Sequence, residues 1–243
     1  MDIRIFDNPD QTAAAVAQRV ADALAHESAL VLGLPTGRTS IGVYEQLRGL
    51  HTQGRVDFAR AVTFNLDEFA GTPPSHPGSF RSFMERHLFA HVNLPPTHIH
   101  FLNGVAEDLD NECQRYDTAI EAAGGIDLQL LGIGSNGHIG FNEPGDELTA
   151  RTHRVRLAES TRRDNAALFD GDEARVPREA LSVGMGTILK ARGLILMAIG
   201  ERKAHCVERA LRGPISTHLP ASFLQLHRSV ELYLDRAAAV RLT

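Results

Sequence analysis

The chain has 243 residues, 43% of them hydrophobic, which is enough for a sizeable core. Its formal net charge of -5 comes without a concentrated basic block, which argues against a nucleic-acid surface and leaves room for a local anion site. No stretch reaches the roughly 20 apolar residues of a membrane span, the opening MDIRI lacks a signal-peptide core, and Cys113 and Cys206 have no CxxC partner; the expectation is a cytoplasmic protein with reduced thiols and no membrane contact.

In chain order, Ile3 and Ile5 alternate with charge and predict a short edge strand. Asn8-Pro9-Asp10 predicts a helix start, and Val16, Val20 and Leu24 give that helix one apolar face. A buried strand at 29–33 exits into Leu34-Pro35-Thr36-Gly37-Arg38-Thr39-Ser40. The following helix carries Ile41, Tyr44 and Leu47 on one side. The next strand, 61–64, ends in Asn65-Leu66-Asp67-Glu68, and the proline- and glycine-rich stretch 71–78 is loop. Phe80, Phe83, Met84 and Leu88 mark an amphipathic helix, 99–102 a short strand, and 108–123 a helix stopped by Gly124-Gly125.

The apolar run 126–133 then leads into LGIGSNGHIGFNEPG at 131–145, which has five glycines and sets Asn136, His138, Asn142 and Glu143 among them. A tight strand exit capped by polar residues is the plainer explanation of that turn. From there to about residue 172 the chain is polar, with a basic tinge from Arg151, His153, Arg154, Arg156, Arg162 and Arg163 and a short helix at 161–169. The segment 146–172 is a candidate mobile lid, or else an ordinary solvated face. Leu181-Ser182-Val183 starts another strand-to-helix unit. A buried strand at 194–199 exits into Gly200-Glu201-Arg202-Lys203 and a helix with Val207 and Leu211, and 230–234 is the last strand. With no repeat and no low-complexity linker, residues 1–243 read as a single domain.

Apolar strands alternating with amphipathic helices imply an α/β fold: a doubly wound, mostly parallel, Rossmann-like sheet with helices on both faces. Ligands bind beyond the carboxyl ends of such strands. Four exits carry polar or glycine-rich motifs, at 33–40, 65–68, 132–143 and 200–203, and parallel neighbouring strands would bring them to one rim.

The turn Thr36-Gly37-Arg38-Thr39-Ser40 opens a helix and suits an anion, although it is not a Walker loop. Lys203 opens another helix and adds a point charge, unless it is an ordinary surface lysine. A partly desolvated Asp67 or Glu68 could act as a base. Side chains alternate along a strand, so only one of the two can face the rim, and the sequence does not say which. The alternative for each is a helix-capping or loop acid. His138 exchanges protons near neutral pH, with Asn136 or Glu143 to orient it. A GxSxG elbow is absent, and His138, Glu143 and Asp67 lack a recognised metal-ligand spacing. The pair His98 and His100 has no third ligand nearby. A base, a histidine and an anion site together fit proton shuffling on a sugar phosphate.

The runs VLGLPTG (31–37), VTFNLDEF (62–69), GIGSNGHIGFNEP (132–144) and LQLH (224–227) resemble the glucosamine-6-phosphate deaminases over nearly the whole chain. The resemblance implies conversion of glucosamine 6-phosphate and water to fructose 6-phosphate and ammonia, with no metal or organic cofactor and a small amino-sugar phosphate as partner. It implies Asp67 as the base that takes the C2 proton, His138 as the ring-opening acid/base, Glu143 and Asn136 as its partners, and Thr36, Gly37, Arg38, Thr39, Ser40 and Lys203 as the phosphate cradle. Some members carry aspartate where Asn136 stands; the amide offers the imidazole a hydrogen bond but no charge.

The family usually has glycine or serine at the place of Arg38 and commonly a lid arginine at the place of Ala167. The expectation is that Arg38 restores the missing phosphate partner. Otherwise Arg38 points to solvent with weaker phosphate affinity, or the preferred substrate differs. The short tail after Leu234 implies no activation by N-acetylglucosamine 6-phosphate. A homo-oligomer is compatible with the sequence, which does not fix the state. A 6-phosphogluconolactonase or another sugar-phosphate isomerase on the same fold is the alternative activity. A non-catalytic sugar-phosphate sensor is the remote one.

Overall fold

The computed structural model describes residues 1–242. In chain order the elements are β1 (Asp2–Phe6), α1 (Pro9–His26), β2 (Val31–Leu34), α2 (Arg38–Thr52), β3 (Val62–Asn65), β4 (Asp67–Phe69), α3 (Phe80–His87), β5 (Ile99–His100), α4 (Leu109–Ala122), β6 (Leu128–Gly132), β7 (His153–Arg156), α5 (Glu159–Asn165), β8 (Glu179–Ser182), α6 (Met185–Leu189), β9 (Gly193–Ala198), α7 (Ala204–Arg212), β10 (Val230–Asp235) and α8 (Arg236–Ala239). No helix among these residues is long and apolar enough to cross a membrane.

Seven strands form one sheet in the order β1-β10-β9-β6-β2-β3-β5, with every neighbouring pair parallel. Its strands alternate between two cores. Val31, Phe64, Leu131, Leu194, Leu196 and Leu232 pack on one face with Tyr116 and Ile120 of α4 and Val207 of α7. Leu32, Leu34, Leu130, Ile195 and Met197 pack on the other with α1, α2 and α3. Burial on both faces is why these runs read as continuously apolar.

The chain runs outward from β2 to β3 and β5, then returns to the other side of β2 as β6, followed by β9 and β10. The order therefore reverses between β2 and β6, where α/β sheets bind their ligands. The polar exits belong to the four adjacent strands β9, β6, β2 and β3. At about 4.8 Å per strand gap they span roughly 14 Å.

Three expectations need correction. Asp67 and Glu68 do not end the strand that precedes them: β3 stops at Asn65, and the two acids begin β4, which belongs to a second sheet. That sheet is antiparallel, in the order β4-β8-β7, so the strand around Leu181 is not part of the parallel sheet. The polar segment after Gly145 holds a strand, β7, in register with β8 from His153 opposite Ser182 to Arg156 opposite Glu179. A small cluster of Phe69, Phe80, Phe141, Leu157, Phe169, Val176 and Ala180 joins this sheet to the rest.

Candidate active site

Asp67 opens β4 directly opposite Ser182 of β8. Its residue is 6% exposed, and its Oδ1 has no hydrogen-bond partner among the described residues. Its Oδ2 stands 3.6 Å from where a side chain would begin on Gly140, so it abuts the turn that carries His138. Burial, with the neighbouring Glu68 charge added, pushes the Asp67 pKa up to about 8.

Glu68 points the other way. Its Oε1 accepts from the backbone N–H of Phe69 at 2.9 Å and of Phe80 at 3.0 Å, and its Oε2 from that of Arg81 at 2.9 Å. Glu68 is thus the helix-capping acid, clamping the start of α3 to β4, and Asp67 is the acid that faces the rim. Burial raises Glu68 to about 7 against the pull of those three donors.

In the turn after β6, His138 Nδ1 lies 3.5 Å from Glu143 Oε2. Asn136 does not touch the imidazole. Its Nδ2 donates to Glu143 Oε2 at 2.9 Å, and its Oδ1 accepts from the His138 backbone N–H at 3.1 Å. The amide therefore braces the carboxylate and the turn, which corrects the expectation that it holds the ring. Burial would raise the Glu143 pKa, but hydrogen bonds and charge from His138, with bonds from Thr161 and Asn136, outweigh it and hold the group at about 2. An ionised Glu143 is acceptor-only, so the imidazole proton belongs on Nδ1, leaving Nε2 to exchange protons. The ring lies flat on Gly134: a Cβ there would sit 2.4 to 2.6 Å from Cε1, Nε2 and Cδ2. Any side chain at 134 would evict the histidine. Asn142 holds the far end of the turn, donating to Ile139 O at 2.9 Å and Val183 O at 2.8 Å.

The exit of β2 forms the neighbouring wall. The Tyr44 hydroxyl donates to Pro35 O, and Ser40 is buried with its hydroxyl donating to Gly37 O at 2.8 Å. Ser40 therefore shapes the turn from inside, while Thr36, Gly37 and Thr39 are half-buried and Arg38 is exposed. Asn8, Ser79 and Asp108 cap α1, α3 and α4 with their side chains, whereas no side chain caps α2 at Gly37. The Ser40 N–H turns back to Gly37 O at 3.1 Å, which leaves the Arg38 and Thr39 N–H groups at the start of α2 for an anion.

Lys203, at the exit of β9, is half-buried. Burial lowers its pKa, Asp164 and Cys206 raise it, and Arg202 and Arg38 lower it again. Arg38 and Lys203 are thus near enough to repel, and neither has an ion-pair partner among the described residues. Ala167 is exposed.

Most of the basic tinge of 146–172 is bound into structure. Arg151 meets Asp117 and Glu121, Arg154 meets Glu179, Arg163 meets Glu173, and Arg162 donates to the carbonyls of Glu173 and Val176. His98 Nδ1 contacts Ala61 O, and His100 stacks on Phe64. One functional contact had no sharp signal in the sequence. Thr161, in α5, is 1% exposed and brings its hydroxyl to the His138–Glu143 pair. One of two adjacent hydroxyls, Ser160-Thr161, in a short polar helix is all that marked it.

A sheet that binds at its switch point, with a histidine–carboxylate pair, a buried acid and open cations there, defines a small-molecule enzyme of the sugar-phosphate type. Residues 7–233 match the model of the family described as glucosamine-6-phosphate isomerases/6-phosphogluconolactonase, and the chain belongs to that family. Within it, the chain is 47% identical over 223 residues to glucosamine-6-phosphate deaminase 1 of Giardia intestinalis, covering 92% of this chain and 84% of that one. It is 48% identical over 213 residues to glucosamine-6-phosphate deaminase 2 of Bacillus subtilis, covering 87% and 86%. The solved structure of a monomeric glucosamine-6-phosphate deaminase superposes with a TM-score of 0.96 at 40% identity over 99% of this chain and 100% of that one. A 6-phosphogluconolactonase from Trypanosoma cruzi, 17% identical with a TM-score of 0.80 over 100% and 97%, shares the fold.

Proposed function

We propose that the chain is a glucosamine-6-phosphate deaminase that converts glucosamine 6-phosphate and water to fructose 6-phosphate and ammonia. The observation that carries this reading is the buried, unpartnered Asp67 carboxylate abutting the turn that holds the His138–Glu143 pair. His138 opens the sugar ring: Nε2 takes the C1 hydroxyl proton, the C1–ring-oxygen bond breaks, and the imidazolium returns the proton to that oxygen. Glu143 stabilises the transient imidazolium, and Asn136 keeps Glu143 in place. Asp67 then takes the C2 proton and returns it at C1, while the C1 oxygen gains a proton and the substrate's ammonium gives one up. The amino aldehyde becomes a ketone imine, and water displaces ammonia from it. A carboxylate with a raised pKa is the stronger base once ionised, and the substrate's ammonium favours that ionisation.

The phosphate sits at the open start of α2, between Arg38 and Lys203, with Thr36, Gly37 and Thr39 lining the turn and Ser40 supporting it. Arg38 supplies the planar two-pronged partner for it. One domain carries the function, with 146–172 as its lid. The free, buried cysteines fit a reducing cytoplasm. Ammonia release from glucosamine 6-phosphate, with identification of fructose 6-phosphate, tests the assignment. A lactonase would hydrolyse 6-phosphogluconolactone and release no ammonia.

A further inference from the structure

The lid helix reaches into the acid/base pair. Thr161 lies one turn into α5 and is fully enclosed. Its Oγ1 is 3.5 Å from His138 Nδ1, and the side chain stands close enough to Glu143 to help lower that carboxylate's pKa. The start of the same helix adds a second tie, since the Ala158 backbone N–H points at Glu143 Oε1 at 3.4 Å. A third tie runs from the Ser135 hydroxyl to Asp164 Oδ2 at 3.2 Å.

These contacts agree on one proton arrangement. The ionised Glu143 accepts from Asn136 and can only accept, so a threonine O–H turned toward it would act as donor. The Thr161 oxygen is then left as an acceptor, and it faces the His138 Nδ1–H. We propose that Thr161 is a positioning residue for the acid/base pair, bridging His138 and Glu143 so that the imidazole holds its proton on Nδ1 and presents Nε2 to the sugar. The lid then completes the histidine's surroundings as well as covering the site, and the acid/base pair is fully formed only with α5 seated. This inference rests on the reading of His138 and Glu143 as the acid/base pair.

The test compares Thr161→Val, which deletes the hydroxyl, with Thr161→Ser, which keeps it. Thr161→Ala carries the same expectation as the valine and takes its place if that variant does not fold. In the free protein, nitrogen NMR of the His138 ring should show the Nδ1-protonated tautomer in the unaltered chain and in Thr161→Ser, and a mixture of tautomers in Thr161→Val. In ammonia release, Thr161→Val should lose roughly 10- to 100-fold in kcat, the effect of one lost hydrogen bond to a charged group, with little change in KM. Thr161→Ser should stay within about threefold of the unaltered chain on the same scale.

Unchanged ring signals and unchanged kcat in Thr161→Val would overturn the proposal. So would a serine variant as impaired as the valine. The ring signals are read without substrate, so they decide the role of Thr161 even if the unaltered chain releases no ammonia, a result that would count against the deaminase reading alone.

Discussion

The β3–β4 junction delivers the buried Asp67 carboxylate and the turn after β6 the half-buried Glu143 carboxylate to the same rim, and the two treat their acid in opposite ways. Glu143 is surrounded by donors: Asn136 Nδ2, Thr161, His138 and the backbone of Ala158. Asp67 has a carboxylate at its back, no partner for Oδ1, and a pKa near 8 against about 2 for Glu143. Burial pushes both upward, Asp67 the more, and only Glu143 has the donors and the histidine charge to outweigh it. A fixed negative charge suits a group that steadies a histidine, and an unsatisfied acid suits a group that must take a proton from carbon.

Asp67→Asn should break the comparison most strongly. Loss of the base should cut ammonia release by about 10²- to 10⁴-fold. The same variant should melt at a higher temperature. The folded-state pKa of Asp67 is raised, so ionising it opposes folding progressively as pH climbs from about 4 to about 8, and an amide escapes that cost. The gain in melting temperature should therefore be larger at pH 8 than at pH 5. A variant that is inactive and also less stable at pH 8 would show that Asp67 is held by partners after all.

Glu143→Gln should lower kcat by roughly 10²-fold and have the opposite effect on stability. The folded pKa of Glu143 is depressed, so its contribution is present above the ordinary carboxylate range and is lost as pH falls toward about 2. Thermal melts between pH 7 and pH 3 should show the unaltered chain converging on Glu143→Gln as acid is added.

Gly134→Ala sharpens the point about geometry. A methyl group 2.4 Å from the ring must displace His138 while leaving both carboxylates in place. A displacement of about 1 Å costs up to roughly 10²-fold in rate, seen in kcat at a near-normal melting temperature. The smallest effect should come from Arg38→Ala: KM for glucosamine 6-phosphate should rise about tenfold, the weight of one charge-assisted bond, with kcat nearly unchanged. An unchanged KM would mean that Arg38 points to solvent.

The large sheet was legible because its inner strands β2, β6 and β9 are buried on both faces and read as apolar runs between helices with periodic faces. The rim followed from that alternation, since parallel neighbours must end on the same side. The second sheet was not legible. β4 has three residues, and β7 sets His153 and Val155 against Arg154 and Arg156, so neither stands out from a polar loop. Their pairing with β8 is a tertiary fact. Alternation showed that Asp67 and Glu68 must face opposite ways, but only the arrival of the Phe80 and Arg81 N–H groups settles which way each faces. Asn136 was misread for a similar reason. Asn136 and Glu143 were alternatives for orienting the ring, and it is Glu143 that stands beside Nδ1 while the turn folds the amide back onto that carboxylate.

The placement of β1 bears on how the chain is made. Its only neighbour in the sheet is β10, with Asp2 opposite Glu231 and Phe6 opposite Asp235. During N-to-C synthesis, residues 2–6 leave the ribosome long before residues 230–235 and wait for them to pair. β2 and β3, from nearby stretches of chain, can pair far sooner. β1 is therefore made well before β10 and is among the last strands of this sheet to be installed.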